Sequence, residues 1–147
     1  MDSQMLGAIL KRFYPTFDML TFSNRLKLQK IVYLMKAKGG FDLEFDFNFF
    51  VYGPYSTDLA RTGFRITDYA SIPEVRFKDE GAETDFKNFV SFIGERKNDD
   101  RWLECASSIL FLSNYTKNKK DIIKRIENKR TKFEEQYINK VWGDLYG

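Results

Sequence analysis

Histidine is missing from the 147-residue sequence, and there is one cysteine and three prolines. Without imidazole there is no Ser-His-Asp or Cys-His catalysis, no His-ligated zinc and no histidine pH switch. The lone Cys105 has no partner for an internal disulfide or a thiolate cluster, as expected of a chain from a reducing cytoplasm. Long apolar runs are also missing. The longest uncharged stretch, Cys105 to Thr116, is broken by Ser107, Ser108, Ser113 and Asn114, against about 20 apolar residues for a membrane span. Met1 to Arg12 carries Asp2 and no basic leader, so no secretory signal is expected. Phosphate loops, dinucleotide fingerprints and zinc spacings do not occur. These absences predict a cytoplasmic protein that takes no cofactor, contacts no membrane and is not an enzyme.

What is present suits one globular domain over residues 1–147. Apolar residues make up 43% and charged residues 31%, a balance outside the disordered and collagen-like classes. A net charge of +3 is too small to argue for nucleic acid or membrane by itself. Aromatics are abundant, with 15 Phe, 8 Tyr and 2 Trp.

Periodicity predicts a mainly α fold with a small antiparallel β-sheet, an α+β arrangement compatible with a winged helix. Helices are expected over Ser3–Phe13, Phe22–Lys38, Ser56–Arg61, Thr84–Gly94, Arg101–Tyr115 and Asn118–Asn128, with a last one behind a Thr131/Glu134 capping box. Gly39-Gly40 supplies the exit from the second helix. The helix at Arg101–Tyr115 should bury a stripe of Trp102, Leu103, Ala106, Ile109 and Leu110. From Phe41 to Phe49 the period changes to two, with Phe41, Leu43, Phe45, Phe47 and Phe49 alternating with Asp42, Glu44, Asp46 and Asn48. That alternation predicts a half-buried strand. A second short strand is expected at Glu74–Lys78.

Three groups of residues could carry chemistry. Asp42, Glu44 and Asp46 share one strand face, where three carboxylates could hold a hard cation or simply form the wet side of the strand. Lys117, Lys119, Lys120, Lys124, Arg125, Lys129, Arg130 and Lys132, offset by Asp121 and Glu127, give a local charge of +6. Such a segment contacts nucleic-acid phosphates or an acidic protein partner, or is a solvated helix face, and no aromatic stacking groups interleave with it. Third, Gly53 and Pro54 restrict the turn Tyr52-Gly53-Pro54-Tyr55-Ser56. Tyr52 and Tyr55 are thereby pre-ordered as interface anchors, with Lys27, Gln29 and Lys30 of the preceding helix framing the same region. Alternatively, the same residues are a folding signature, with the tyrosines packing the turn and Ser56 capping the next helix.

The helix Asn24-Arg25-Leu26-Lys27-Leu28-Gln29-Lys30-Ile31-Val32-Tyr33-Leu34, followed by an aromatic strand and Tyr52-Gly53-Pro54-Tyr55-Ser56, resembles the SocA-like and Panacea-domain proteins and their YwgA-like relatives. The likeness covers about Thr21 to Ala60, with a weaker echo in the C-terminal helices. It implies a compact helical domain acting by protein contact, as an antitoxin neutralising a toxin or an adaptor presenting one to an ATP-dependent protease.

Overall fold

The computed structural model describes residues 1–129 and 131–147. Seven α-helices are found among these residues: α1 (Ser3–Leu10), α2 (Phe22–Ala37), α3 (Thr57–Phe64), α4 (Glu80–Ile93), α5 (Asp100–Leu112), α6 (Lys119–Glu127) and α7 (Glu135–Tyr146). One antiparallel hairpin, β1 (Asn48–Phe50) and β2 (Gly53–Tyr55), lies between α2 and α3. None of the described helices is long and apolar enough to cross a membrane.

Capping side chains start most of the helices where sequence signals put them. Asp2, Thr21, Ser56, Asp99 and Asn118 each accept a hydrogen bond from a first-turn amide, satisfying a donor that the helix itself leaves free. The α2 exit is made by Gly40 at φ 77°, with the Phe41 amide returning to the Met35 carbonyl. Two starts differ from expectation. Asp79, not Thr84, caps α4. Glu134, whose side chain makes no cap bond, occupies the N-cap of α7 in place of the expected Thr131 box.

At the centre, α5 packs against α2, β2, α6 and α7. Every residue from Trp102 to Ile109 is buried, whereas Leu110 is only half-buried. The expected single stripe is therefore too narrow: α5 is enclosed on nearly all sides, and its polar Glu104, Ser107 and Ser108 are inside. Cys105 is fully buried, which pushes its thiol up to about 12 and leaves it a small core residue. One cluster of buried side chains runs from Leu6 on α1 to Leu145 on α7.

The nine-residue strand expected from Phe41 to Phe49 shrinks to Asn48–Phe50. Burial still alternates, with Phe45 buried and Asp42, Glu44 and Asp46 exposed. Ladder bonds are absent before Asn48, however, and Glu44 has φ 65°, so residues 41–47 form an extended strap whose rings pack on helices. Phe41 meets Phe86 edge-on at 5.1 Å and Phe47 meets Tyr33 at 5.1 Å. Alternation reports burial on two sides of a chain, and a strap laid on helices has it as much as a strand does. Glu74–Lys78 is likewise not a strand. It is tied to α1 by Val75 N donating to Ala8 O at 3.2 Å, and to the turn after α1 by Arg12 donating to Val75 O at 2.9 Å.

Candidate functional site

The segment from α2 to α3 is built as one unit. Residues 22, 25, 26, 29 and 30 lie on one face of α2, and the hairpin folds back over that face. In the hairpin, Asn48 pairs with Tyr55, Phe49 with Pro54 and Phe50 with Gly53, around a turn at Val51-Tyr52. Gly53 has φ 94°, a left-handed backbone that residues with a Cβ rarely adopt. A Cβ there would stand 2.5 Å from Ser108 Oγ, so glycine is needed for both backbone and space.

Gln29 recognises the chain after the turn through both ends of its amide. Its Nε2 donates to Ser56 O at 2.9 Å, and its Oε1 accepts from Ser56 N at 2.8 Å. Lys30 Nζ donates to Pro54 O at 2.7 Å. Ser56 Oγ then accepts from Leu59 N at 3.2 Å, starting α3. Gln29, Lys30, Gly53, Pro54 and Ser56 are all buried, and the bonds among Gln29, Lys30, Pro54 and Ser56 join α2 to the hairpin and the start of α3. Tyr52 and Tyr55 differ, with exposures of 41% and 38%. Each is steadied by a second exposed ring, Phe22 at 4.8 Å from Tyr52 and Phe50 at 5.7 Å from Tyr55. Lys27 stands apart from Lys30. It reaches Ser23 Oγ at 2.9 Å and Asp100 Oδ1 at 3.5 Å, toward the start of α5, and does not frame the turn.

A pocket of about 230 Å³ opens between these elements, lined by Met19, Phe22, Leu26, Tyr52, Tyr55 and Phe64, with Arg25, Gln29, Lys30 and Ala60 completing the wall. Met19 and Phe64 also wall a second, neighbouring depression that Leu20 lines. No family model, curated protein or solved structure matches the chain.

Behind the hairpin lies a charged pair that sequence reading did not anticipate. Lys129 Nζ donates to Glu104 Oε2 at 2.7 Å and to Ser108 Oγ at 3.3 Å, with both side chains almost wholly buried. Lys129 was expected in the cationic segment, but its charge is spent inside the fold. Lys117, Lys119, Lys120, Lys124, Arg125 and Lys132 are exposed, and Arg130 lies outside the described residues. The one available signal for the pair was Glu104 in the middle of an apolar helix. Among the described residues no cluster of acidic, cysteine or histidine side chains is arranged to hold a metal ion, and Asp42, Glu44 and Asp46 point to solvent.

Burial pushes the Lys30 ammonium down to about 7; nearby Lys129 adds to the shift and Glu104 opposes it. Between about pH 7 and 10.5 the unfolded chain therefore holds a proton on Lys30 that the folded one has released, so stability rises with pH across that window. Below it the cost of the buried charge is present in full. Burial raises Cys105 above its ordinary value of 9 and Tyr14, Tyr33, Tyr69 and Tyr137 above theirs of 10; above those pH values the unfolded groups ionise first and stability falls. The melting temperature followed by calorimetry is expected to climb from neutrality to a maximum between about pH 9 and 10 and then drop. In Lys30→Met the climb is shallower and the drop unchanged.

Proposed function

We propose that the protein is a non-enzymatic interaction module that docks a partner protein over the tyrosine hairpin and the adjoining face of α2. The observation that carries this reading is the exposed apolar surface around the pocket. Leu20, Phe22, Phe50, Tyr52, Tyr55 and Phe64 are all exposed, where a monomer ordinarily scatters such residues singly. The hairpin is held from behind by buried hydrogen bonds, so its two tyrosines have little conformational entropy left to lose on binding. The likeness of the Asn24–Leu34 helix and the Tyr52–Ser56 turn to SocA-like and Panacea-domain proteins supports a toxin or a component of a protease system as the partner.

A second reading, nucleic-acid binding, draws on the exposed cations Lys117, Lys119, Lys120, Lys124 and Arg125. Charge alone favours it, and the internal pairing of Lys129 weakens it.

Capture from a native lysate tests both readings. Immobilised wild-type protein is expected to retain proteins that Tyr52→Ala/Tyr55→Ala loses at least about tenfold, a hot-spot loss of over 1 kcal/mol, and that Lys120→Glu/Lys124→Glu keeps. Identical sets from wild type and the tyrosine variant would make the hairpin a folding signature and nothing more. Retention that depends on the lysines and falls steeply with salt would favour phosphate binding.

A further inference from the structure

The pocket that carries the proposed interaction is not neutral. Arg25 and Lys30 both line it, and no acidic residue does. Arg25 is half-buried, and its guanidinium donates to Met19 O at 2.9 Å. Among the described residues no carboxylate pairs with it. Lys30 is 2% exposed and its Nζ turns under the hairpin to the Pro54 carbonyl, so Arg25 is the charge offered to an occupant. An arginine without an acid, inside a wall made mostly of aromatic and aliphatic groups, is complementary to an occupant with an apolar body and an anionic end.

Size narrows the occupant further. At about 230 Å³ the pocket falls below the roughly 300 Å³ at which drug-sized ligands and cofactors begin to fit, and it suits one large side chain. Arg25 belongs to the wall of the pocket itself rather than to a separate rim. An anion that meets it therefore sits on the same residue as the apolar group that enters, as the α-carboxylate of a terminal residue does.

Resting on the interaction reading above, we infer that the pocket receives the C-terminal residue of a partner protein. Its aromatic or large aliphatic side chain packs between Phe22, Tyr52, Tyr55 and Phe64, and its α-carboxylate bonds to Arg25. Planar guanidinium groups suit carboxylates because two parallel N–H donors match the two oxygens, and capture of a C-terminal carboxylate is a recurring mode of peptide recognition.

The test is a titration of ¹⁵N-labelled protein with N-acetyl-phenylalanine and, separately, with its neutral amide. The carboxylate is expected to shift the amide resonances of Phe22, Tyr52 and Tyr55 and to bind at least about tenfold more tightly than the amide, a gap of about 1.4 kcal/mol. In Arg25→Gln that preference should fall below about threefold, whereas Arg25→Lys, which keeps the charge, should retain part of it. A dispersed spectrum in each variant shows that the fold is kept; should Arg25→Gln unfold, the Arg25→Lys comparison and the wild-type preference still decide. Equal binding of the two probes, an unchanged preference in Arg25→Gln, or no shift at the pocket with either probe overturns the inference. The lysate capture with the tyrosine variant reads the interaction surface independently of charge, so it can succeed where this titration fails.

Discussion

Replacing Glu104 with Gln is expected to cost about 3–5 kcal/mol, the range for breaking one side of a buried ion pair. The Glu104 carboxylate and the Lys129 ammonium are 2.7 Å apart, with side-chain exposures of 5% and 6%. Without the carboxylate charge, Lys129 keeps only weaker contacts: the neutral glutamine amide oxygen, Ser108 Oγ at 3.3 Å and the rings of Phe49 and Phe133 at 5.5 and 5.7 Å. Burial already lowers the Lys129 pKa, so the lysine either gives up its proton or drags its segment into water, and both routes destabilise. Urea denaturation should show a lower midpoint with an unchanged slope. The paired replacement Glu104→Met/Lys129→Met is expected to recover most of the loss, because well-packed apolar groups often substitute for a buried pair without cost. A single variant as stable as wild type would show that Lys129 escapes to solvent at no cost.

Gly53→Ala is the second large effect, expected at about 3 kcal/mol and accompanied by lost partner capture. Strain at a left-handed position contributes about 1–3 kcal/mol, and the contact with Ser108 Oγ adds a share typical of overpacking, about 1–3 kcal/mol. The two shares separate in Gly53→Ala/Ser108→Ala, which relieves the contact and leaves the backbone strain. Tyr52→Ala/Tyr55→Ala supplies the contrast. Both rings are substantially exposed, so that variant should lose capture while its denaturation midpoint stays close to wild type. If Gly53→Ala melts like wild type and still captures the partner, the hairpin tolerates movement, and the argument that its rigidity orders the tyrosines fails.

Local signals were legible wherever the chain's neighbours in sequence are also its neighbours in space. The Thr21, Ser56 and Asn118 caps, the Gly40 exit and the end of α4 at Gly94 all arise within one or two turns of backbone, and each has a residue type that explains it. The strap at residues 41–47 shows where this reading stops. Its alternation reports correctly which side chains face inward, but whether a strand or a helix covers them depends on what packs alongside.

The site divides in the same way. Sequence reasoning brought the Tyr52–Ser56 turn together with Gln29 and Lys30, and the structure joins them within hydrogen-bond distance. Nothing in their spacing distinguished the buried Gln29 and Lys30 from the exposed Tyr52 and Tyr55. Arg25 carries no signal of its own within the Asn24–Leu34 helix, because a half-buried arginine facing a pocket looks in sequence like any other helix cation.

The sequence by itself determined the mainly helical architecture with its single small sheet, the helix starts set by capping side chains, and the absence of histidine chemistry. These rest on side-chain type and short-range hydrogen bonding, which act before any long-range contact forms. Only the tertiary structure decided which charges are available. Lys129 and Lys124 look alike in a basic segment, yet one is consumed by Glu104, 25 residues away, and the other faces water. The cost of a charge depends on the dielectric around it and the groups that meet it, and both are properties of packing.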